Sequence, residues 1–291
     1  MRARLKALLL LSALLPAPAA WAQTAPAAKA PGLLSVLFGQ APGSLNGPTR
    51  GPSRSIGSPA NGCLAGGRAL PASGPGWQVL RPGRDRYWGN QALVDFLRDK
   101  AGAVQANGLG TLLVADMAQP RGGPMPSDHG SHQTGVDVDI LYRLARAPLT
   151  PEERDHPDLT GVVRPDGSLD PQRWGQDQER LLRLFASDPR VDRIFVNPQI
   201  KRVLCRWARG DRAWLRRIRP WWGHMEHFHV RLQCPVGDMD CRSGPLPPPG
   251  DGCGGELQSW IDSGAWKGRP SGGHAFKRPP PLACHAILGR K

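Results

Sequence analysis

Six cysteines constrain what this chain can fold into more than any other feature. Cys63, Cys205, Cys234, Cys241, Cys253 and Cys284 are scattered through 291 residues, and no two form a C-x-x-C pair. An even, scattered set reads as disulfides in an exported chain, and as metal or redox ligands in a reducing compartment. The first residues choose between the two. Arg2, Arg4 and Lys6 precede an apolar run from Ala7 to Leu15, and Ala20-Trp21-Ala22 supplies a small-x-small cleavage pattern. That is the layout of a secretory leader, with an apolar run too short to remain as a membrane span. Residues 1–22 are therefore expected to be a signal peptide, cleaved after Ala22, and the cysteines to be oxidised. Spacing alone leaves fifteen pairings open for any six cysteines. Only Cys234 and Cys241 stand close enough to suggest a small local loop.

Proline and glycine bracket the folded part. Residues 23–60 are rich in Ala, Pro, Gly and Ser and read mostly as a flexible lead-in, with room for part of it to drape on the domain. Residues 242–291 contain Pro247-Pro248-Pro249 and Pro279-Pro280-Pro281, and read as a loop-rich tail tied down through Cys253 and Cys284. Between them, residues 61–241 suffice for one domain with its own core. Helical spacing runs from Asn90 to Ala103 and from Gln176 to Phe185, and Pro198 opens a third helix to Ala208. Thr111 to Ala118 suits a buried strand. Arg193 to Asn197 reads as a strand, and Val136 to Ile140 and His227 to Leu232 alternate with a strand period of two. Short strands among helices predict an α+β domain: a small, mainly antiparallel sheet with helices around it.

Two short segments hold five of the eight histidines. One is Asp128-His129-Gly130-Ser131-His132-Gln133-Thr134-Gly135-Val136-Asp137-Val138-Asp139; the other is Trp221-Trp222-Gly223-His224-Met225-Glu226-His227-Phe228-His229. His132 precedes a Gly turn into a strand on which Asp137 and Asp139 share a face, and His227 and His229 share a face of theirs. Either segment alone reads as readily as a solvated strand face or a pair of core histidines. Together, on neighbouring strands, they could bring two imidazoles and a carboxylate to one metal, the ligand set of a catalytic zinc. The helical H-E-x-x-H arrangement is absent, since Glu226 is followed directly by His227. On a strand Glu226 should face away from His227.

Ser131 to Asp139 and the His224-x-x-His227-x-His229 run resemble the penicillin-insensitive murein endopeptidases. These are relatives of the lysostaphin-type and D-alanyl-D-alanine metallopeptidases. The resemblance extends from about Ser55 to Cys284 and includes Ser55-Ile56-Gly57-Ser58, Arg193-Ile194-Phe195-Val196-Asn197-Pro198 and Asp251-Gly252-Cys253-Gly254. It implies that His132, Asp139 and His229 bind one catalytic zinc, with Asp137 supporting them. It implies that His227 sits beside the reacting water, and that His224, placed where related carboxypeptidases have a glutamate base, is the other acid–base candidate. An accessory metal would use His129 and Asp166, but Leu169 stands where the third ligand, a His, is expected; only His156 from the preceding loop could replace it. The resemblance also implies disulfides Cys63–Cys284, Cys205–Cys253 and Cys234–Cys241.

The activity so implied is zinc-dependent cleavage of D-alanyl–meso-diaminopimelyl cross-links in the periplasm, insensitive to β-lactams. The nearest rival is a D,D-carboxypeptidase or dipeptidase on the same metal core; a non-catalytic wall-binding module is a second. The net charge is +14, of which the leader's three basic residues leave +11 on the mature chain. In the cell envelope such an excess suits the anionic wall or lipid headgroups rather than nucleic acid. No later stretch is long and apolar enough to span a membrane. The sequence leaves the oligomeric state open, a homodimer included.

Overall fold

The computed structural model describes residues 47–125, 129–268 and 279–289. The expected signal peptide and the start of the expected lead-in lie outside the described residues. In chain order the strands before the first long helix are β1 Arg54–Ser58, β2 Asn61–Ala65, β3 Arg68–Ala69, β4 Ser73–Gly74, β5 Trp77–Val79 and β6 Trp88–Gly89. They are followed by α1 Gln91–Ala106, β7 Leu112–Val114, β8 Asp137–Leu141, α2 Pro151–Asp155 and α3 Gln176–Ala186. The remainder is β9 Val191–Val196, α4 Pro198–Trp207, β10 Ile218–Pro220, β11 His227–Leu232 and α5 Gly255–Asp262.

The α+β expectation holds, and the main sheet is larger than anticipated. It has seven strands in the order β10-β9-β11-β8-β7-β5-β4. Four of its pairings are antiparallel, while β10 with β9 and β5 with β7 are parallel. The extra strands run two or three residues each, too short for a period of two to be read. The lead-in also ends earlier than residue 60. Arg54–Ser58 pairs with Asn61–Ala65 as a hairpin, because Ile56 and Cys63 bury against Ala65, Cys284 and Leu288.

The elements begin and end where local chemistry dictates. Asn90 caps α1, its side chain accepting from Ala92 N at 3.0 Å while its amide donates to Ser55 Oγ and Asp238 Oδ2. Asn197 caps α4 in the same way, and Pro198 occupies the first turn, where its missing N–H costs nothing. Val138, Ile140, Phe228 and Val230 point from one face of the sheet into a core shared with Leu93, Phe96, Leu97 and Phe185 of α1 and α3. Phe185 meets Phe96 and Phe228 edge-on at centroid distances of 5.7 and 5.4 Å. Each such ring, fully buried, contributes about 1.5–3 kcal/mol. With that face of β8 and β11 given to the helices, alternation sends Asp137, Asp139, His227 and His229 to the other.

The three disulfides pair Cys63–Cys284, Cys205–Cys253 and Cys234–Cys241. The first ties β2 to the C-terminal turn, the second ties α4 to the segment leading into α5, and the third closes the loop after β11. Lys201 of α4 is fully buried and donates to Leu215 O at 2.7 Å and Asp251 O at 2.6 Å, a second anchor for the same segment.

Candidate metal centre

β11 pairs antiparallel with β8 in a register that sets His229 directly opposite Asp139 and Arg231 opposite Asp137. His132 arrives from the loop before β8. It adopts a left-handed backbone, φ 65°, and its N–H donates to Asp137 Oδ2 at 3.0 Å. The next residue clamps that loop. Gln133 N donates to Pro59 O and its amide to Ala60 O, while Gly62 N donates to Gln133 Oε1. Gly135, at φ 74°, completes the turn; a Cβ there would meet Asn90 N at 2.8 Å. The β1–β2 hairpin is thus the platform that positions His132.

The side chains converge on Asp139. Its Oδ1 lies 3.3 Å from His132 Nε2, 3.2 Å from His229 Nδ1 and 3.7 Å from His227 Nε2. Its Oδ2 lies 3.7 Å from His129 Nδ1. His129, His132 and Asp139 present ligand atoms within 4.8 Å of one another, a group that could hold a metal ion. The chemistry of the donors fits one. His132 Nδ1 and Nε2, Asp139 Oδ1 and His229 Nε2 are all buried without a hydrogen-bond partner, which is costly unless something else satisfies them. Donors about 2.0–2.1 Å from a tetrahedral ion stand about 3.3–3.4 Å apart, close to the separations of His132 and His229 from Asp139.

Asp137 does different work. It accepts from Arg231 at 2.7 and 3.1 Å and from the His132 backbone, and its Oδ1 lies 3.3 Å from His229 Nε2. It therefore fixes both histidines while its charge is balanced by Arg231. Burial alone would raise its carboxyl, but Arg231 and His229 pull it well below the ordinary carboxylate range. For Asp139 burial is likewise outweighed, here by His132 and His227. Burial disfavours a charged His229, yet Asp137 and Asp139 raise it to about 9 in the metal-free protein.

The other two histidines differ from each other. His224, left-handed at φ 53°, holds its Nδ1 2.6 Å from the Trp222 carbonyl. A carbonyl accepts only, so Nδ1 carries the proton and Nε2 keeps its lone pair. Burial, with His227 and His229 nearby, lowers it to about 3. His227 Nδ1 lies 3.1 Å from Glu226 Oε1. Burial opposes its protonation, but Asp139 and Glu226 together raise it. Glu226 thus faces His227 rather than away from it. It precedes β11, so the alternation that holds within the strand does not reach it.

The accessory pair is not brought together. Asp166 is exposed and accepts from Ser168 N and Oγ, while Leu169 packs against the main core. His156 is exposed beside Glu152. His129 instead places Nε2 2.8 Å from Asp116 Oδ2. Sequence reading missed Asp116. It is 2% exposed and also meets Arg84 and Arg86 at 3.0 Å and Arg81 at 3.8 Å. The available signal was a lone acid inside the otherwise apolar run from Thr111 to Ala118. The aromatic residues sit at the rim: Phe195 lies edge-on to His229 at 5.4 Å and contacts Trp221, which packs with Trp222 and Trp260.

Fold and site together define a disulfide-tied α+β protein with a buried His/Asp centre able to hold a metal. The family model for penicillin-insensitive murein endopeptidases matches residues 55–289, and the chain belongs to that family. A penicillin-insensitive murein endopeptidase of Klebsiella pneumoniae subsp. pneumoniae is 44% identical over 244 residues, covering 83% of this chain and 88% of the relative. A protein of the same name from Salmonella heidelberg is 44% identical over 247 residues, with 83% and 88% covered. The chain is accordingly a peptidoglycan hydrolase of the murein endopeptidase family. No helix among the described residues is long and apolar enough to cross a membrane.

Proposed function

We propose that this protein is a zinc metalloendopeptidase that hydrolyses D-alanyl–meso-diaminopimelyl cross-links of peptidoglycan in the periplasm. The observation that carries the reading is the convergence of His132 Nε2 and His229 Nδ1 on Asp139 Oδ1 at 3.3 and 3.2 Å, with His132 Nε2 and Asp139 Oδ1 buried and without a hydrogen-bond partner. Those three residues would hold one ion. His129 spends Nε2 on Asp116 and turns Nδ1 toward Asp139, while Asp166 is held by Ser168, which supports a single ion over two. Bound there, zinc would supply a Lewis acid that polarises the scissile carbonyl and acidifies water.

The protein's own groups divide the remaining work. His224, neutral with a bare Nε2, can accept a hydrogen bond that orients the attacking water, while its lowered proton affinity makes it a weak general base. His227, held between Glu226 and Asp139, can keep a proton and place positive charge where an oxyanion develops. Asp137, through Arg231 and the His132 backbone, orients two of the ligands. The domain plan that accompanies this reading is a leader over residues 1–22, a lead-in ending near β1, the catalytic domain to residue 241, and a tail over 242–291. The leader would deliver the chain to an oxidising compartment, which the three disulfides favour.

The test is muropeptide analysis of purified sacculi incubated with the mature protein and with His229→Ala, alongside metal content of both. Loss of cross-linked dimers with matching gain of monomers, absent in the variant, supports the reading. Release of terminal D-alanine with dimers persisting would make it a carboxypeptidase. Bound zinc with neither change would make it a binding module.

A further inference from the structure

Next to the centre, one buried carboxylate carries more positive charge than it needs. Asp116 Oδ2 is approached by Arg84 and Arg86 at 3.0 Å and by His129 at 2.8 Å, and Oδ1 by Arg81 at 3.8 Å. A single arginine would neutralise it. The surplus is built in by the backbone. Arg81 and Asp85, at φ 48° and 54°, flank the one-turn helix Pro82–Arg84 in left-handed conformations. These cost of order 1 kcal/mol or more each and cluster where a site must be held. The turn is pinned from outside by Arg81 N donating to Arg154 O, Met117 N to Arg86 O, and Trp88 Nε1 to Asp85 Oδ1.

The arginines are not used up. Arg84 engages Asp116 through one nitrogen and its side chain is 30% exposed; Arg81 is 27% exposed and its Nε is buried without a partner. A guanidinium offers five N–H donors in a rigid fork that matches a carboxylate. The position is as telling as the charge. His129 bridges Asp116 and Asp139, at 2.8 and 3.7 Å, so the guanidinium groups on Asp116 are separated from the carboxylate on which His132 and His229 converge by one carboxylate and one imidazole.

We infer that Arg81 and Arg84 form the recognition site for a carboxylate borne on the carbon attached to the scissile nitrogen, and so select cross-links in which it is free over those in which it is amidated. This rests on the endopeptidase reading. In a D-alanyl–diaminopimelyl bond that carboxylate lies two bonds from the nitrogen released, so a substrate whose carbonyl reaches the centre brings it within range of the cluster. A terminal D-alanyl-D-alanine carries the same group in the same relation, and both substrates are therefore compared.

The experiment uses two synthetic cross-linked muropeptides, identical except that this carboxylate is free in one and a carboxamide in the other. An uncross-linked pentapeptide is assayed beside them. The metal-loaded mature protein should prefer the free acid by at least about tenfold in kcat/KM, chiefly through KM. Arg84→Gln should shrink that preference to about twofold or less, with Arg84→Lys intermediate because charge remains while the fork is lost. Arg81→Gln should act in the same direction and serves if Arg84→Gln does not fold. Equal cleavage of acid and amide by the parent protein overturns the inference. So does an equal loss on both substrates in the variants, which is what a purely structural role on Asp116 would produce. The amine-side peptide, free or amidated, is also titrated calorimetrically. Absence of all cleavage would sink the endopeptidase reading, whereas equal binding of the two peptides would sink this one. Cleavage of the pentapeptide alone, still with the acid preference in binding, moves the carboxylate site to a carboxypeptidase.

Discussion

The candidate metal centre and the tail after Cys241 are held together by opposite means. At the centre, strand register does the work. His229 stands opposite Asp139 because β11 and β8 pair as they do, and Asp137, Arg231 and the Gln133 clamp fix the rest through hydrogen bonds. In the tail, residues 242–291, regular structure among the described residues is sparse. Disulfides Cys205–Cys253 and Cys63–Cys284, with Lys201 reaching two carbonyls, hold it instead. The difference teaches where precision is required. A ligand set must be placed within tenths of an ångström, which a packed sheet provides, while a covering segment needs only to be kept close.

The sharpest way to break the comparison is Asp139→Asn. It removes the charge on which His132, His227 and His229 converge, and should lower sacculus hydrolysis by at least about 10³-fold with the fold retained by circular dichroism. A smaller effect is expected from Asp137→Asn, which keeps an acceptor for His132 N but leaves Arg231 unbalanced. Metal affinity, measured by chelator competition, should fall about 10–100-fold.

Acidity is the next lever. In the metal-free protein His229 titrates near 9 against an ordinary value near 6.5. Its protonated form therefore stabilises the metal-free fold fully below about 6.5, and that contribution is lost as pH rises through about 9. Denaturant unfolding of chelated protein should show this decline. Metal must displace the same proton, so metal affinity should rise about tenfold per pH unit up to about 9. Affinity flat across that window would mean that His229 is not a ligand.

The smallest effect on the centre should come from removing the Cys205–Cys253 bond as a double serine variant. Global stability should drop by about 2–4 kcal/mol, read from denaturant midpoints, with metal affinity changed less than about twofold. A large loss of metal affinity would show that the C-terminal segment shapes the centre as well as covering it.

Much of the centre was legible in the sequence because its carriers are strands long enough to show their period. Val136 to Ile140 and His227 to Leu232 alternate, so Asp139 and His229 had to share faces with Asp137 and His227. What could not be read lies where no period operates. Glu226 is one residue ahead of its strand and turns to His227. The strands Ser73–Gly74 and Trp77–Val79 are too short to announce themselves. Asp116 and the arginines of the Pro82–Arg84 turn are remote in sequence from His129, and only packing makes them neighbours.

By itself, then, the sequence determined the α+β class, the three longest helices and the residues proposed to bind a metal, since these depend on local periodicity and side-chain chemistry. The register that sets His229 against Asp139, the companion given to His129, and the cationic cluster on Asp116 were decided by the tertiary structure alone. They are distances between segments far apart in the chain, and no local preference encodes such a distance until the core between the helices and the sheet has closed.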